Sequence, residues 1–352
     1  MNKRLSAVDA IAPAFDRTRR LLFQPFRLGV WARIGLIALT TGEFSGGSGA
    51  INAGIPSPPS RSPGDKFVAI VEPASQILHD YLPWIFAGIV ALVALGLLAI
   101  YISSVFRFIM LDAVLRDRPH LMEGWRRWQE PGSRYFLWQM GFLFVSLLGL
   151  AVVVGGPVLL AYRGGLFDKP DQHVGLLIGG GVLLFFVVIG WVLVAMLIDV
   201  FAKDFLVPLM ALENLGVFDA WRRLLPLLGG EKMSYAGYIL MKIVLAVGSA
   251  ILFGIINLIV FLVLFVVFGL IGAALVFGGW AAGLEWNFST ILIAAGLGML
   301  ALGALLYVVS IVSSPAVVFF QAYALHFLGA RYPLLASQLD TPFGAPLASP
   351  SV

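Results

Sequence analysis

Arginine doublets set behind an acidic residue are the pattern in this chain best suited to chemistry. Asp219-Ala220-Trp221-Arg222-Arg223 has an earlier counterpart in Glu123-Gly124-Trp125-Arg126-Arg127 and a looser first one in Asp16-Arg17-Thr18-Arg19-Arg20. On a helix, an acid and the arginines three and four places later share one face and pair. Guanidinium groups grip phosphate bidentately. Arg19, Arg20, Arg126, Arg127, Arg222 and Arg223 are therefore candidates for contact with the headgroups of anionic phospholipids, with the fixing of membrane topology as the plainer alternative. A proline follows each copy, at Pro25, Pro131 and Pro226, and is expected to end or kink the short helix that carries it.

A second set of candidates consists of ionisable residues set within apolar runs: Arg107, Asp199, Asp204 and Lys242. Lys242 lies about 13 Å inside its run at 1.5 Å per residue and is costly there unless paired, hydrated or able to snorkel. Asp199 and Asp204 are its candidate partners. The pair would serve either ion coupling or a structural tie, and the tie is the leading expectation.

Other chemistries find little support. The chain has no cysteine, which excludes disulfides, thiolate metal sites and thiol catalysis together. His79, His120, His173 and His326 do not form a zinc spacing, and Asp168, Asp171 and His173 make only a weak cation site. Glycine groups such as Gly179-Gly180-Gly181 do not match a phosphate loop and read as close helix contacts. No nucleophile, base and acid can be argued to a shared depth, so neither a catalytic residue nor a metal nor a cofactor is assigned.

The elements that must hold these residues follow from composition. The chain is 60% apolar and 12% charged over 352 residues, with mean hydropathy +0.96, whereas soluble domains are about 25% charged. It is an all-α, polytopic helical membrane protein, and its basic pI near 9.4 points to anionic lipid rather than nucleic acid as partner. A membrane protein partner or a second copy of the chain is the further partner class that such a bundle admits.

A single membrane domain over 1–335 is expected, with spans near 26–42, 82–111, 133–161, 174–198, 233–263 and 288–327 and a re-entrant or extra span at 264–283. Residues 43–67 read as a flexible external loop, and 336–352 as a disordered tail. Residues 1–25 read as an amphipathic surface helix with Leu5, Val8, Ile11, Ala12 and Phe15 on its apolar face, too polar for a cleaved signal. The arginine motif then introduces each of three consecutive pairs of spans, so that basic amphipathic helices connect a triplicated unit. With six spans, only Arg61, Lys66, Arg163 and Lys169 of the 23 basic residues fall in the connections on the far side. That asymmetry predicts cytoplasmic termini in a multi-pass protein of the bacterial inner membrane.

The opening Ser6-Ala7-Val8-Asp9-Ala10-Ile11 through Pro13-Ala14-Phe15, followed by Leu21-Leu22-Phe23-Gln24-Pro25-Phe26 and Trp31, resembles a family of uncharacterised bacterial multi-spanning proteins. The layout is also similar to the membrane domain of glycerophosphoryl diester phosphodiesterases. The catalytic barrel attached to that membrane domain in those enzymes, with its acidic metal-binding residues, is not recognised in the sequence, so the resemblance implies a helical inner-membrane protein with no assigned reaction. The function expected is a structural or interaction module contacting anionic phospholipid. The alternative is a transporter or lipid-handling protein with a site near Lys242 and the arginine doublets.

Overall fold

Helices account for all the regular structure in the computed structural model, which describes residues 5–43, 67–116, 121–167, 170–283, 285 and 287–339. In chain order they are α1 (Ile11–Phe23), α2 (Leu28–Thr41), α3 (Phe67–Arg116), α4 (Leu121–Arg163), α5 (Val174–Phe201), α6 (Val207–Glu213), α7 (Val217–Gly230), α8 (Lys232–Ala281), α9 (Phe288–Gly329) and α10 (Pro333–Leu339). A π-helical turn, Ala202–Leu206, joins α5 to α6. Among the described residues, five stretches are long and apolar enough to cross a membrane: Phe86–Arg116, Leu121–Arg163, Val174–Glu213, Lys232–Ala281 and Ser289–Gly329. A sixth exists only if α1 and α2, bent by 120° at their junction, count together. The protein is an all-α, multi-pass helical membrane bundle.

The buried core lies at one end of this bundle. The second half of α9 is its hub, with Tyr323, Leu325, Phe327 and Leu328 fully enclosed. Tyr238 of α8 stacks on Tyr323 at a centroid separation of 5.1 Å and lies 4.6 Å from Phe327, while Phe205 of the π-turn lies 5.0 Å from Tyr238. Two arginines close helix ends at this pole by giving their donors to carbonyls that a helix terminus leaves free. Buried Arg17 donates from Nε to the Val114 carbonyl and from Nη2 to that of Leu115, each at 2.8 Å, in the last turn of α3. Arg331 donates to the Phe327 carbonyl at 2.9 Å, to Glu231 at 2.9 Å and to the Leu5 carbonyl at 3.2 Å. With Tyr323 donating to the Ala7 carbonyl at 3.0 Å, these contacts bring the two described ends of the chain together.

Away from that pole the helices are apolar on all sides and bury almost nothing in protein. No residue of α5 is buried, and α8 buries only Tyr235 and Tyr238, both near its start. Hydrocarbon is the solvent for these shafts, because a closed backbone ladder with apolar side chains is what a bilayer core accepts. The far end of α9 is fixed locally by a capping box, in which Asn287 accepts from the Thr290 N–H and Thr290 accepts from the Asn287 N–H.

Several expected boundaries differ. The 233–263 span with a re-entrant 264–283 segment is instead one unbroken helix, α8. Glycine does not break a helix in lipid, where unpaired backbone groups cost several kcal/mol each. At 50 residues, α8 is about 75 Å long at 1.5 Å per residue. The 133–161 span starts earlier, at Leu121, and the helix continues through Pro131, as α7 does through Pro226. In each case the carbonyl deprived of its donor belongs to the residue four places earlier, Arg127 or Arg222, both exposed. Only Pro25 follows a helix that ends, α1 at Phe23. The 174–198 span extends to Phe201 and then through the π-turn into α6.

The 26–42 span is corrected most. α2 has 14 residues, about 21 Å at 1.5 Å per residue, against a hydrocarbon core of about 30 Å. Its Ala32 and Gly35 carbonyls accept from Tyr307 at 3.1 Å and Ser310 at 2.6 Å of α9. Contacts three residues apart in the same order on both helices make them parallel, whereas the first and last of six crossings would be antiparallel. Gly35 permits this approach, since a Cβ there would lie 2.9 Å from the Ile311 Cα. In α1 the expected apolar face is not the packed one: Val8 and Phe15 are exposed, and Ala14, Arg17, Thr18, Leu21 and Leu22 are buried. The 336–352 tail begins inside α10 and is helical up to Leu339, and its remainder lies outside the described residues, as does all but the two ends of the 43–67 loop.

Candidate functional site

The π-turn is where sequence, backbone and charge converge. Pro208 has no N–H to give to a carbonyl one turn back, and its ring clashes with an α-helical carbonyl at that position. The helix responds by widening, and the Val207 N–H bonds to the Ala202 carbonyl five residues earlier. Such widened turns recur at functional sites because they re-aim side chains without ending a helix. Here the turn carries Lys203 and Asp204.

Asp204 is 7% exposed and is held from α8 by two side chains one helical turn apart. The Tyr238 hydroxyl donates to Oδ2 at 2.9 Å, and Lys242 Nζ donates to the same oxygen. Lys242 therefore does not snorkel. Lys203 pairs with Asp199 one turn earlier, so of the two candidate partners for Lys242 the structure selects Asp204. Arg107 approaches from α3, with Nη1 3.5 Å from Glu43 Oε1. Gly42, in the left-handed region at φ 73°, turns the chain at the end of α2 and delivers Glu43 to that position.

Arg107, Lys203 and Lys242 thus face Glu43, Asp199 and Asp204, three charges of each sign. All but Asp199 line one cavity of about 40 Å³, completed by Met110, Val200, Val207, Val317, Phe320 and Gln321. By the usual requirement of at least 10–15 Å³ per molecule, that is space for roughly two or three waters. Arg107 is the least satisfied member. Its side chain is 9% exposed, yet among the described residues Nε and Nη1 have no hydrogen-bond acceptor, and the nearby buried Tyr135 hydroxyl also has no partner there. Buried donors are almost always satisfied, and leaving one bare costs about 1–3 kcal/mol or more.

A second concavity of about 330 Å³ lies between α4 and α5, lined by Leu143, Ser146, Leu147, Leu150, Trp191, Val192, Ala195 and Met196. Asp199 and Lys203 also line it, so Lys203 borders both spaces. Trp191 donates to the Ser146 carbonyl at 3.2 Å, and Gly149 leaves room for its ring.

The six motif arginines are elsewhere and all exposed. Arg19 and Arg20 are on α1, Arg126 and Arg127 on the first turns of α4, and Arg222 and Arg223 on α7. Arg222 lies 3.5 Å from Asp219, the pairing expected from the motif, but Arg223 reaches Glu213 at 3.1 Å instead. Arg127 stacks 4.9 Å over Trp128. None of the six lines the cavity. Sequence reasoning passed over Glu43, Tyr135 and Tyr238. The spacing of Tyr238 and Lys242, which puts a hydroxyl and an ammonium on one face, was a usable signal, whereas nothing local marks Glu43. Among the described residues no group of His, Asp and Glu could hold a metal.

Fold and site together define a polytopic membrane protein with a charged, partly enclosed pocket at the junction of its packed pole and its lipid-facing shafts. Residues 5–337 match the family described as a family of unknown function, DUF7544, and the chain belongs to that family. No curated protein and no solved structure matches it. The family match does not tie the chain to the membrane domain of glycerophosphoryl diester phosphodiesterases.

Proposed function

We propose that this protein handles a small polar or amphipathic solute within the membrane and that its ligand site is the pocket around the π-turn. The observation that supports the reading is Arg107, a buried guanidinium in a cavity, two of whose donors meet no hydrogen-bond acceptor among the described residues. Intramembrane ionisable groups around an irregular helical turn are the usual material of solute sites in membrane proteins. The exposed arginine doublets, in this reading, hold the packed pole against anionic phospholipid headgroups on the cytoplasmic side of a bacterial inner membrane. Their recurrence on α1, α4 and α7 supports a threefold repeat in which each copy introduces membrane helices.

The protein purified into liposomes of defined headgroup composition, assayed for lipid binding and solute flux, tests this. Binding or transbilayer movement that is lost in Arg107→Gln or Lys242→Met variants of normal helicity supports a ligand site. A second reading, a structural module, is favoured by the Asp204, Tyr238 and Lys242 tie. It expects those variants to melt earlier and to show no change with any solute or lipid. That result would sink the ligand-site reading.

A further inference from the structure

We infer that the π-turn pocket and the groove between α4 and α5 are the two halves of one site for a long-chain amphiphile with an oxyanion head, a fatty acid or its phosphate counterpart. The inference rests on the ligand-site reading above and adds the class of ligand.

Lys203 connects the halves because it lines both, and Asp199 stands beside it at the groove's end. The groove wall is aliphatic except for Ser146 and Trp191, and it is cut into a flank that meets hydrocarbon. α5 buries no residue at all, and the buried residues of α4 stop at Tyr135, before Leu143. An acyl chain is therefore what bathes this groove. One groove holds one chain.

The head is identified by what the pocket lacks. Arg107 Nε and Nη1 need acceptors, and a guanidinium is best satisfied by the paired oxygens of a carboxylate or phosphate. Glu43 is a tethered carboxylate that only partly fills this role, at 3.5 Å from Nη1 and without a hydrogen bond to it. It is also among the more accessible members of the cluster, at 26% side-chain exposure, while Asp204 is held by two donors at 10%. A ligand oxyanion replaces Glu43 at Arg107 and leaves the Asp204 tie intact. The six charges sum to zero with Glu43 in place, and they do so again when a carboxylate head takes its position and Glu43 turns out to water. A cavity of about 40 Å³ has room for a bare oxyanion in the place of a few waters.

The test uses the purified full chain in detergent, with brominated oleate as probe and quenching of Trp191 fluorescence as readout. Trp191→Phe subtracts the other tryptophans. Brominated oleate and brominated oleyl phosphate should quench saturably and brominated oleyl alcohol should not. Arg107→Gln should weaken oleate binding about tenfold or more, as expected for loss of a charge-assisted pair, and Arg107→Lys should restore part of it. Glu43→Gln should tighten binding, because it removes the competing carboxylate. Ala195→Phe, which fills the groove and leaves the pocket untouched, should abolish quenching and keeps the inference testable should Arg107→Gln fail to fold.

Acetate or inorganic phosphate competing as well as oleate, with Ala195→Phe without effect on them, would mean a free-oxyanion site. That outcome overturns the amphiphile inference and spares the ligand-site reading. Equal binding of oleyl alcohol, with Arg107→Gln and Glu43→Gln both silent, would overturn the amphiphile inference and withdraw support for the pocket as a ligand site.

Discussion

The two ends of α8 differ more than their shared hydropathy suggests. Tyr235 and Tyr238 are enclosed among Phe205, Tyr323 and Phe327, and a turn further on Lys242 is paired. From there to Ala281 no residue is buried. The same contrast runs through α4, where Gly124, Trp128, Gly132 and Tyr135 are buried and nothing after them is. Apolar side chains gain nothing by leaving hydrocarbon for one another, so helix shafts in a bilayer have no hydrophobic drive to associate. Packing contacts, caps and ion pairs must then fix the arrangement, and here those concentrate at the pole. The charged pocket sits at the boundary between the two regimes, where low dielectric meets water.

This contrast predicts which substitutions matter. Phe205→Ala removes a fully enclosed ring and should cost about 3–5 kcal/mol, whereas Phe186→Ala on the exposed flank of α5 should stay within about 0.5 kcal/mol. Thermal unfolding in one detergent reads both. Similar shifts for the two would mean that the shafts pack against something beyond lipid.

Asp204→Ala should be nearly as severe, about 3–5 kcal/mol, because it strands the Lys242 ammonium in a poorly hydrated site. The double variant Asp204→Leu with Lys242→Met should recover most of that loss, since replacing both members of a buried pair by apolar groups is often close to neutral. A double variant no better than Asp204→Ala would indicate that Asp204 acts through Tyr238 rather than by neutralising Lys242.

The sequence displayed the shafts plainly and the pole poorly, for a physical reason. Hydropathy reports compatibility with hydrocarbon, so five membrane-crossing stretches were legible from run length alone. It cannot distinguish an apolar residue facing lipid from one facing protein, and Tyr238 and Phe327 looked no different from their neighbours. The interior of the pole depends on long-range partners. Arg17 belonged to the arginine motif, but its role, closing α3 from 97 residues away, is invisible without the fold. Glu43 likewise read as the first residue of a loop. Lys242, Asp204 and Arg107 were legible because a charge in an apolar run is costly enough to need an explanation. Which acid paired with which base was not legible, because that depended on the π-turn.

Arg17→Met gives a mid-sized test of the pole. It removes two charge-assisted hydrogen bonds from the last turn of α3 and should cost about 1.5–3 kcal/mol, with fraying at Val114 and Leu115 visible as faster amide exchange. Gly132→Ala probes the α3–α4 contact, because a Cβ there would stand 2.9 Å from the Val105 Cα. Overpacking of that kind costs about 1–3 kcal/mol. Gly269→Ala, with open space around it, should instead be neutral or slightly stabilising. A destabilised Gly269→Ala would place a partner helix against the far half of α8.

The smallest effects per residue belong to the exposed arginines, and their form matters more than their size. A basic side chain near an anionic surface contributes about 1 kcal/mol, and it does so by field strength rather than by fixed geometry. Replacing Arg126, Arg127, Arg222 and Arg223 one after another by glutamine should therefore lower affinity for vesicles containing phosphatidylglycerol in even steps, with little change in melting temperature. Raising the salt concentration should shrink each step, because these side chains are exposed and a Debye length of about 8 Å at physiological ionic strength screens them. Arg222→Lys should be silent in that assay, since charge is conserved and only the bidentate fork is lost. If that one substitution removes most of the binding, the doublet on α7 is a shaped phosphate site. The division between a pole that holds the fold and a surface that only meets the membrane would then have to be redrawn at α7.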